Sequence, residues 1–176
     1  MHIRHAGPPD AADIAKVHVE SWRSTYAGVV PESYLGSLSY ERQKHMWRDV
    51  LSHIGMGEFV LVIENDEGEV VGFGSVGPAR EEDPHYAGEL YAIYLLPEYQ
   101  RQGLGTKLIQ AVTKGLLGVG IQSMLVWVLT DNPSRRFYEA LGAKQVKSRE
   151  IAVGGAVLSE IAYGWIDTRY LAEKGK

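Results

Sequence analysis

The chain has 176 residues, 45% of them apolar, no cysteine and a formal net charge of −4. That length suits one domain with a sizeable core, and the missing cysteine excludes disulfides, thiolate metal sites and a cysteine nucleophile. The acidic balance offers no basic footprint for nucleic acid, yet it leaves room for a cationic substrate.

The N-terminus, MHIRHAGPPD, has no apolar signal region, and no apolar run approaches membrane-spanning length. A cytoplasmic protein with no nucleic-acid or membrane partner is the expectation. His2 to Ala6 reads as a short edge strand. Pro8-Pro9-Asp10 opens a helix with Asp10 as its N-cap, and Ile14, Val17, Ser21 and Trp22 recur on one face. The stretch TYAGVVPESYLGSL is broken by Gly28, Pro31 and Gly36 and reads as a turn-rich connector. A second helix is predicted from about Ser39 to His53, its apolar face formed by Trp47, Val50, Leu51 and Ile54, before Gly55 and Gly57 end it.

FVLVIE (59–64) and VVGFGSVG (70–77) flank an Asn/Asp/Gly turn and predict an antiparallel hairpin. A strand follows from about Gly88 to Leu95, then a polar turn through Gly103 and Gly105 into a helix with Leu104, Leu108, Ala111 and Val112 on one side. SMLVWVL (123–129) is apolar on both faces, as a central strand should be. Strand, helix and strand in this order predict a right-handed parallel crossover. Pro133 starts a short helix closed by Gly142. Two last strands, 144–153 and 156–165, flank Gly154-Gly155, a strong hairpin signal. Together these make one α/β domain, 1–176 with a core of about 3–166, around a mixed sheet.

The turn at Gly103 carries the first functional signal. Backbone N–H groups at a helix start are unpaired and sit at the positive end of the helix dipole, so a phosphorylated ligand is expected there. A dinucleotide fingerprint would need a third glycine where Leu108 stands, and a nucleoside-triphosphate loop would need Gly-Lys-Ser/Thr after a four-residue gap. Neither is present. Glycine's freedom in a tight turn is the simpler alternative for this loop taken alone. The histidines show no ligand spacing, so no metal is expected, and no Gly-x-Ser-x-Gly elbow marks an α/β-hydrolase.

Gln100-Arg101-Gln102-Gly103-Leu104-Gly105 resembles the Gln/Arg-x-x-Gly-x-Gly/Ala signature of GCN5-related N-acetyltransferases. Asn132 to Ala143 (NPSRRFYEALGA) resembles the family's second motif. Both lie on the elements where that family has them, and the order of elements agrees from about Ile3 to Trp165. The resemblance implies an α/β (α+β) fold: a mixed, mostly antiparallel sheet of six to seven strands, helices on both faces and a parallel strand–helix–strand crossover. It implies acetyl-CoA as acetyl-donor co-substrate, bound by Gln100, Arg101, Gln102, Gly103, Leu104, Gly105 and Thr106 around its pyrophosphate. It also implies a bulged strand splayed from its neighbour, with the pantetheine arm hydrogen-bonded at Ile93 and Leu95 and the Ile93 N–H as oxyanion donor.

The same resemblance places a general base at Glu89 and a general acid for the CoA thiolate at Tyr138. A solvated or paired carboxylate is the alternative for Glu89, a core aromatic for Tyr138, and a solvated surface charge for Arg101. Asn132 would hold the pantetheine, or serve only as a helix cap. Trp22, Tyr26 and Tyr91 are the candidate acceptor-binding residues, with Arg23, Tyr34 and Tyr94 near them; such an aromatic lining suits a cationic amine by cation–π contact. The expected reaction is direct acetyl transfer to a primary amine in a ternary complex, since no cysteine can carry an acetyl group. The acceptor is a small molecule or, alternatively, a protein N-terminus or lysine. A CoA-binding module without catalysis is the rival of another class. A homodimer through the last hairpin or a sheet edge is compatible with the pattern.

Overall fold

Runs that are apolar on both faces, FVLVIE and MLVWVL, become interior strands of one seven-stranded sheet with helices against each side. The computed structural model describes residues 1–173. In chain order the strands are β1 (His2–His5), β2 (Phe59–Glu64), β3 (Val70–Pro78), β4 (Gly88–Leu95), β5 (Met124–Leu129), β6 (Lys144–Val153) and β7 (Ala156–Trp165). The helices are α1 (Ala11–Thr25), α2 (Glu32–Ser37), α3 (Tyr40–Ser52), α4 (Leu104–Gly118), α5 (Arg135–Ala140) and α6 (Arg169–Glu173). Across the sheet the order is β1-β2-β3-β4-β5-β7-β6, antiparallel throughout except for the parallel pair β4 and β5 joined by α4. No described helix is long and apolar enough to cross a membrane.

Local chemistry explains the turns. Asn65 accepts the N–H groups of Glu67 and Glu69 with its side-chain carbonyl (3.1 and 2.8 Å), which closes the β2–β3 hairpin. Gly154 and Gly155 both take positive φ (58° and 83°), as a two-residue turn between β6 and β7 requires. Ser39 caps α3 by accepting the Arg42 N–H at 3.3 Å.

Three local details go beyond the expectations. Asp10 stands at the N-cap position of α1 as expected, but its carboxylate bonds no α1 N–H: it closes the preceding 3-10 turn by reaching back to the Gly7 N–H (2.8 Å) and takes Arg4 (2.7 Å). The 25–38 connector contains α2, because after Pro31 the segment ESYLGS has room for a turn and a half of helix and buries Leu35. On α3, Trp47 and Leu51 are buried but Val50 lies at the surface, since packing against α1 leaves only a narrow contact stripe, and Ile54, expected on the same face, falls beyond the helix end at Ser52 and is exposed.

Two apolar layers sandwich the sheet. On one side α1 and α3 cover Val60, Val62, Val71 and Phe73; on the other Ile109, Val112 and Leu116 of α4 cover Leu61, Val76 and Leu90. Phe73 is fully buried and meets Trp47 edge-on at 4.9 Å and Tyr94 at 5.6 Å. His18 of α1 belongs to the same layer: its ring stacks on Tyr94 at 5.4 Å, and its Nδ1 accepts the Trp47 Nε1–H at 3.0 Å. Burial pushes the His18 pKa down to about 4.

Phe73→Ala is expected to cost about 3–5 kcal/mol in chemical denaturation, from lost transfer energy plus a cavity. The lowered His18 pKa predicts pH dependence with a definite sign. The unfolded chain binds a proton near pH 6.5 that the folded one refuses until about 4. Stability is therefore full above about pH 6.5 and falls on acidification toward 4, a slope that His18→Gln should flatten in melting curves.

Candidate active site

The site begins where a ladder stops. β4 and β5 pair only through Gly88–Met124, Glu89–Leu125 and Leu90–Val126, although both strands run on. A bulge at Tyr91, opposite Ser75 and Val76 of β3, coincides with the parting. It also reverses which backbone groups face the gap. The Gly88 N–H donates to Ser123 on the β5 side (3.0 Å), whereas beyond the bulge the Leu96 N–H donates to Val71 of β3 (2.9 Å). By alternation Ile93 and Leu95 turn their backbone edges into the gap. The Leu95 carbonyl is already taken, by Ser21 Oγ (3.1 Å) and Gln100 Nε2 (3.0 Å).

The gap widens into a cleft of about 610 Å³. One end is the start of α4. Gly103 adopts φ +78° to enter the helix, and Arg101 adopts φ +57°, unusual for a residue with a side chain. Among the described residues, the N–H groups of Arg101 to Thr106 have no partner, the first being that of Lys107, which donates to the Gly103 carbonyl at 3.1 Å. Two adjacent features make this end an anion cradle: unpaired amides and the exposed Arg101 guanidinium. Gly105 has a different reason to be glycine. A Cβ there would stand 3.2 Å from Cζ of Phe137, so its absence lets α5 close against α4.

Not every residue of the motif faces the cleft. Gln100, Arg101, Gly103, Gly105 and Thr106 line it. Gln102 instead donates to the Glu98 carbonyl (2.8 Å), and Leu104 is buried in the layer under α1 and α3. A turn into a helix points its side chains in different directions, and those of Gln102 and Leu104 lead away from the cleft.

The other wall comes from β5 and α5. Tyr138 is buried beside Phe137, Tyr163 and Trp165, yet it lines the cleft, and its hydroxyl has no hydrogen-bond partner among the described residues. Burial pushes its pKa well above that of an ordinary phenol, so it stays a proton donor at neutral pH. Asn132 is buried at the cleft edge, accepting the Ser134 N–H (2.8 Å) and donating to the Tyr26 hydroxyl (3.1 Å). It thus fastens the turn into α5 to α1. Tyr26 and Tyr91 line the cleft; Trp22 sits behind it, donating to the Tyr94 hydroxyl at 3.0 Å.

Glu89 departs from its expected place. It is 3% exposed, does not line the cleft, and accepts from the Arg80 backbone N–H (3.0 Å), Nε (3.0 Å) and Nη2. Oε1 is held by the Arg80 guanidinium and Oε2 by the Arg80 backbone N–H, so this carboxylate is the paired group that was the alternative to a base. The aromatic rings are also less available than expected. Arg80 lies over Tyr91 at 5.0 Å, and Arg149 over Trp127 at 3.9 Å. Tyr94, expected near the acceptor, lines the cleft, and so do Trp127 and Phe137, to which the sequence pattern assigns no acceptor or cofactor role. Trp127 lies inside a uniformly apolar strand, where no alternation betrays which side chain faces a ligand. Among the described residues, no group of His, Asp and Glu could hold a metal.

Comparison with known proteins agrees with this geometry. The family model described as FR47-like protein matches residues 81–152, which span β4, α4, β5 and α5. An uncharacterized N-acetyltransferase of Bacillus subtilis, YuaI, is 44% identical over 165 residues, covering 94% of this chain and 92% of its own. Among solved structures, a GCN5-related N-acetyltransferase from Rhodopseudomonas palustris superposes with a TM-score of 0.72 at 23% identity, covering 93% of each chain. The acetyltransferase yncA from Salmonella typhimurium, solved with its cofactor acetyl-CoA, gives 0.69 at 22% identity over 94% of this chain and 92% of that one. The sequence relative shows the family and the superpositions show its fold: this chain belongs to the GCN5-related N-acetyltransferase superfamily and is an acyltransferase.

Proposed function

We propose that the protein, acting as one catalytic domain, moves the acetyl group of acetyl-CoA to a primary amine of a small molecule by direct attack in a ternary complex. The observation that carries this reading is the interrupted β4–β5 ladder, which leaves a strand edge at Ile93 and Leu95 leading to the unpaired amides at the start of α4. A pantetheine arm has amides that can take a missing strand's place, and a pyrophosphate suits the cradle. The acetyl-CoA in the Salmonella neighbour agrees with both.

Within that arrangement the Ile93 N–H polarises the thioester carbonyl as charge develops on its oxygen. The amine attacks, the new C–N bond replaces C–S, and Tyr138 donates a hydrogen bond or its proton to the departing thiolate. With Glu89 tied to Arg80, no carboxylate among the described residues lines the cleft to act as base. The ammonium proton leaves through water at the open mouth, and Glu89 serves by holding Arg80 in place over Tyr91. A small acceptor fits the enclosure: the β6–β7 tip closes on α2, with Gly154 directly against Tyr34.

CoA release measured across a panel of amines tests the reading; tight acetyl-CoA binding with no turnover on any amine would instead indicate a sensor. Tyr138→Phe should lower kcat by about 10²-fold or more while acetyl-CoA affinity stays within about twofold. Glu89→Gln should cost less than about tenfold, with the acidic limb of the pH–rate profile kept, whereas loss of that limb would restore Glu89 as the base. Gly105→Val, which pushes on Phe137, should weaken acetyl-CoA binding in calorimetry by more than about tenfold.

A further inference from the structure

Cations that the transfer chemistry does not use stand over two aromatic rings of the cleft, though they are not themselves among the residues that line it. Trp127 of β5 lines the cleft, and its ring is covered by the Arg149 guanidinium at 3.9 Å and the Lys147 ammonium at 5.6 Å. Tyr91, on the facing strand, is covered by Arg80 at 5.0 Å. Trp127 and Tyr91 are thus each already partnered by the protein's own cations.

These cations differ in how firmly they are held. Arg80 is committed to the buried Glu89 by backbone and side chain together. Lys147 is paired with Asp83 at 3.0 Å, whose carboxylate is largely buried and also accepts the His85 and Tyr86 N–H groups. Arg149 is different. Its Nε donates to the buried Glu160 (2.6 Å), its Nη1 donates to Glu81, and its Nη2 has no partner among the described residues. Glu81 sits on the β3–β4 loop with its side chain 60% exposed, so it is the replaceable partner. Its departure would free the whole Nη1/Nη2 edge, a planar fork whose spacing matches two carboxylate oxygens.

We propose that the acceptor amine also carries a carboxylate, which Arg149 receives in place of Glu81 at the Trp127 side of the cleft. The exchange leaves the number of carboxylates on Arg149 unchanged, because Glu160 remains and one exposed anion substitutes for another. Glu81 acts as a resident placeholder that keeps the guanidinium extended over Trp127 until the acceptor arrives. The inference rests on the acetyltransferase reading and narrows its acceptor to amino-acid-like molecules.

The test uses the full chain with acetyl-CoA, offering the proteinogenic L-amino acids and 4-aminobutyrate, each beside its carboxamide or its decarboxylated amine. At least one carboxylate acceptor should exceed its uncharged or decarboxylated counterpart by more than about tenfold in kcat/KM. In Arg149→Gln that preference should collapse toward one through KM, with kcat for the carboxylate acceptor changed less than about threefold. Glu81→Gln, which removes the competitor, should lower the same KM. Melting temperature and acetyl-CoA affinity of each variant separate misfolding from a lost contact, and Arg149→Lys, which keeps charge without the fork, should recover only part of the preference. Plain amines or carboxamides used as well as the carboxylates, or a preference that survives in Arg149→Gln, would overturn the proposal while leaving the acetyltransferase reading intact. If no amine in the panel releases CoA, the transferase reading fails instead. Calorimetry of the amino acids on the acetyl-CoA complex then decides the carboxylate site: binding to wild type and not to Arg149→Gln supports it, and binding to neither refutes it.

Discussion

Two adjacent parallel strands normally satisfy one another's backbone groups along their whole shared length, and burying an unpaired amide is costly. In this protein β4 and β5 forgo that satisfaction after three paired residues. The bulge at Tyr91 changes which amides of β4 look outward, and the divergence turns what would be sheet interior into a cleft. Much else in the molecule serves to keep this opening stable. The bulged strand stays paired with β3 on either side of Tyr91, α1 braces its far end through Ser21 and the Leu95 carbonyl, and Asn132 ties the start of α5 to Tyr26. Between β4 and β5 the missing ladder follows one line across the sheet, the line a strand-like ligand could complete.

The two ends of that line differ chemically. At the α4 end the unpaired amides, the left-handed Arg101 and the glycine-made closeness of Phe137 favour an anion. At the opposite, acceptor-facing end, carboxylates and guanidiniums are interleaved: Arg80 with Glu89, Lys147 with Asp83, Arg149 with Glu81 and Glu160. Those pairs also strap the β3–β4 loop across the sheet to β6, so the same electrostatics that hold the loop shape the entrance. Asp83 illustrates the point: the His85 N–H and Lys147 hold its carboxyl below the usual range. Its ion pair is correspondingly maintained at neutral pH.

Much of this was legible in the residues. Periodicity and turn chemistry located the strands and the main helices, because hydrophobic alternation and positive-φ glycines act locally. α2 escaped because glycine and proline around it mask a single short turn. The motif residues placed the cradle, but spacing alone did not tell Gln102 and Leu104, which point away, from Gln100 and Thr106, which line the cleft. Val50 fell on the predicted apolar face of α3 and yet is exposed, since the width of a buried stripe is set by the partner helix rather than by the stripe itself, and Ile54 falls beyond the helix end.

What the sequence by itself determined is the order of elements, the glycine-started α4 and the presence of a Phe-Tyr helix after Asn132, all of them consequences of neighbours within a few residues. Tertiary structure decided what Glu89 and the aromatic rings are free to do. Glu89 meets Arg80 nine residues away, Arg149 meets Glu81 68 residues away, and Trp127 acquires its cations from another strand. Charge pairing acts through space and at short range, so only the folded chain says which ionisable groups are spoken for. The stretch from Glu89 to Thr106 therefore carries its family motif in its letters, while which of its ionisable groups and rings stay free is decided by residues outside it.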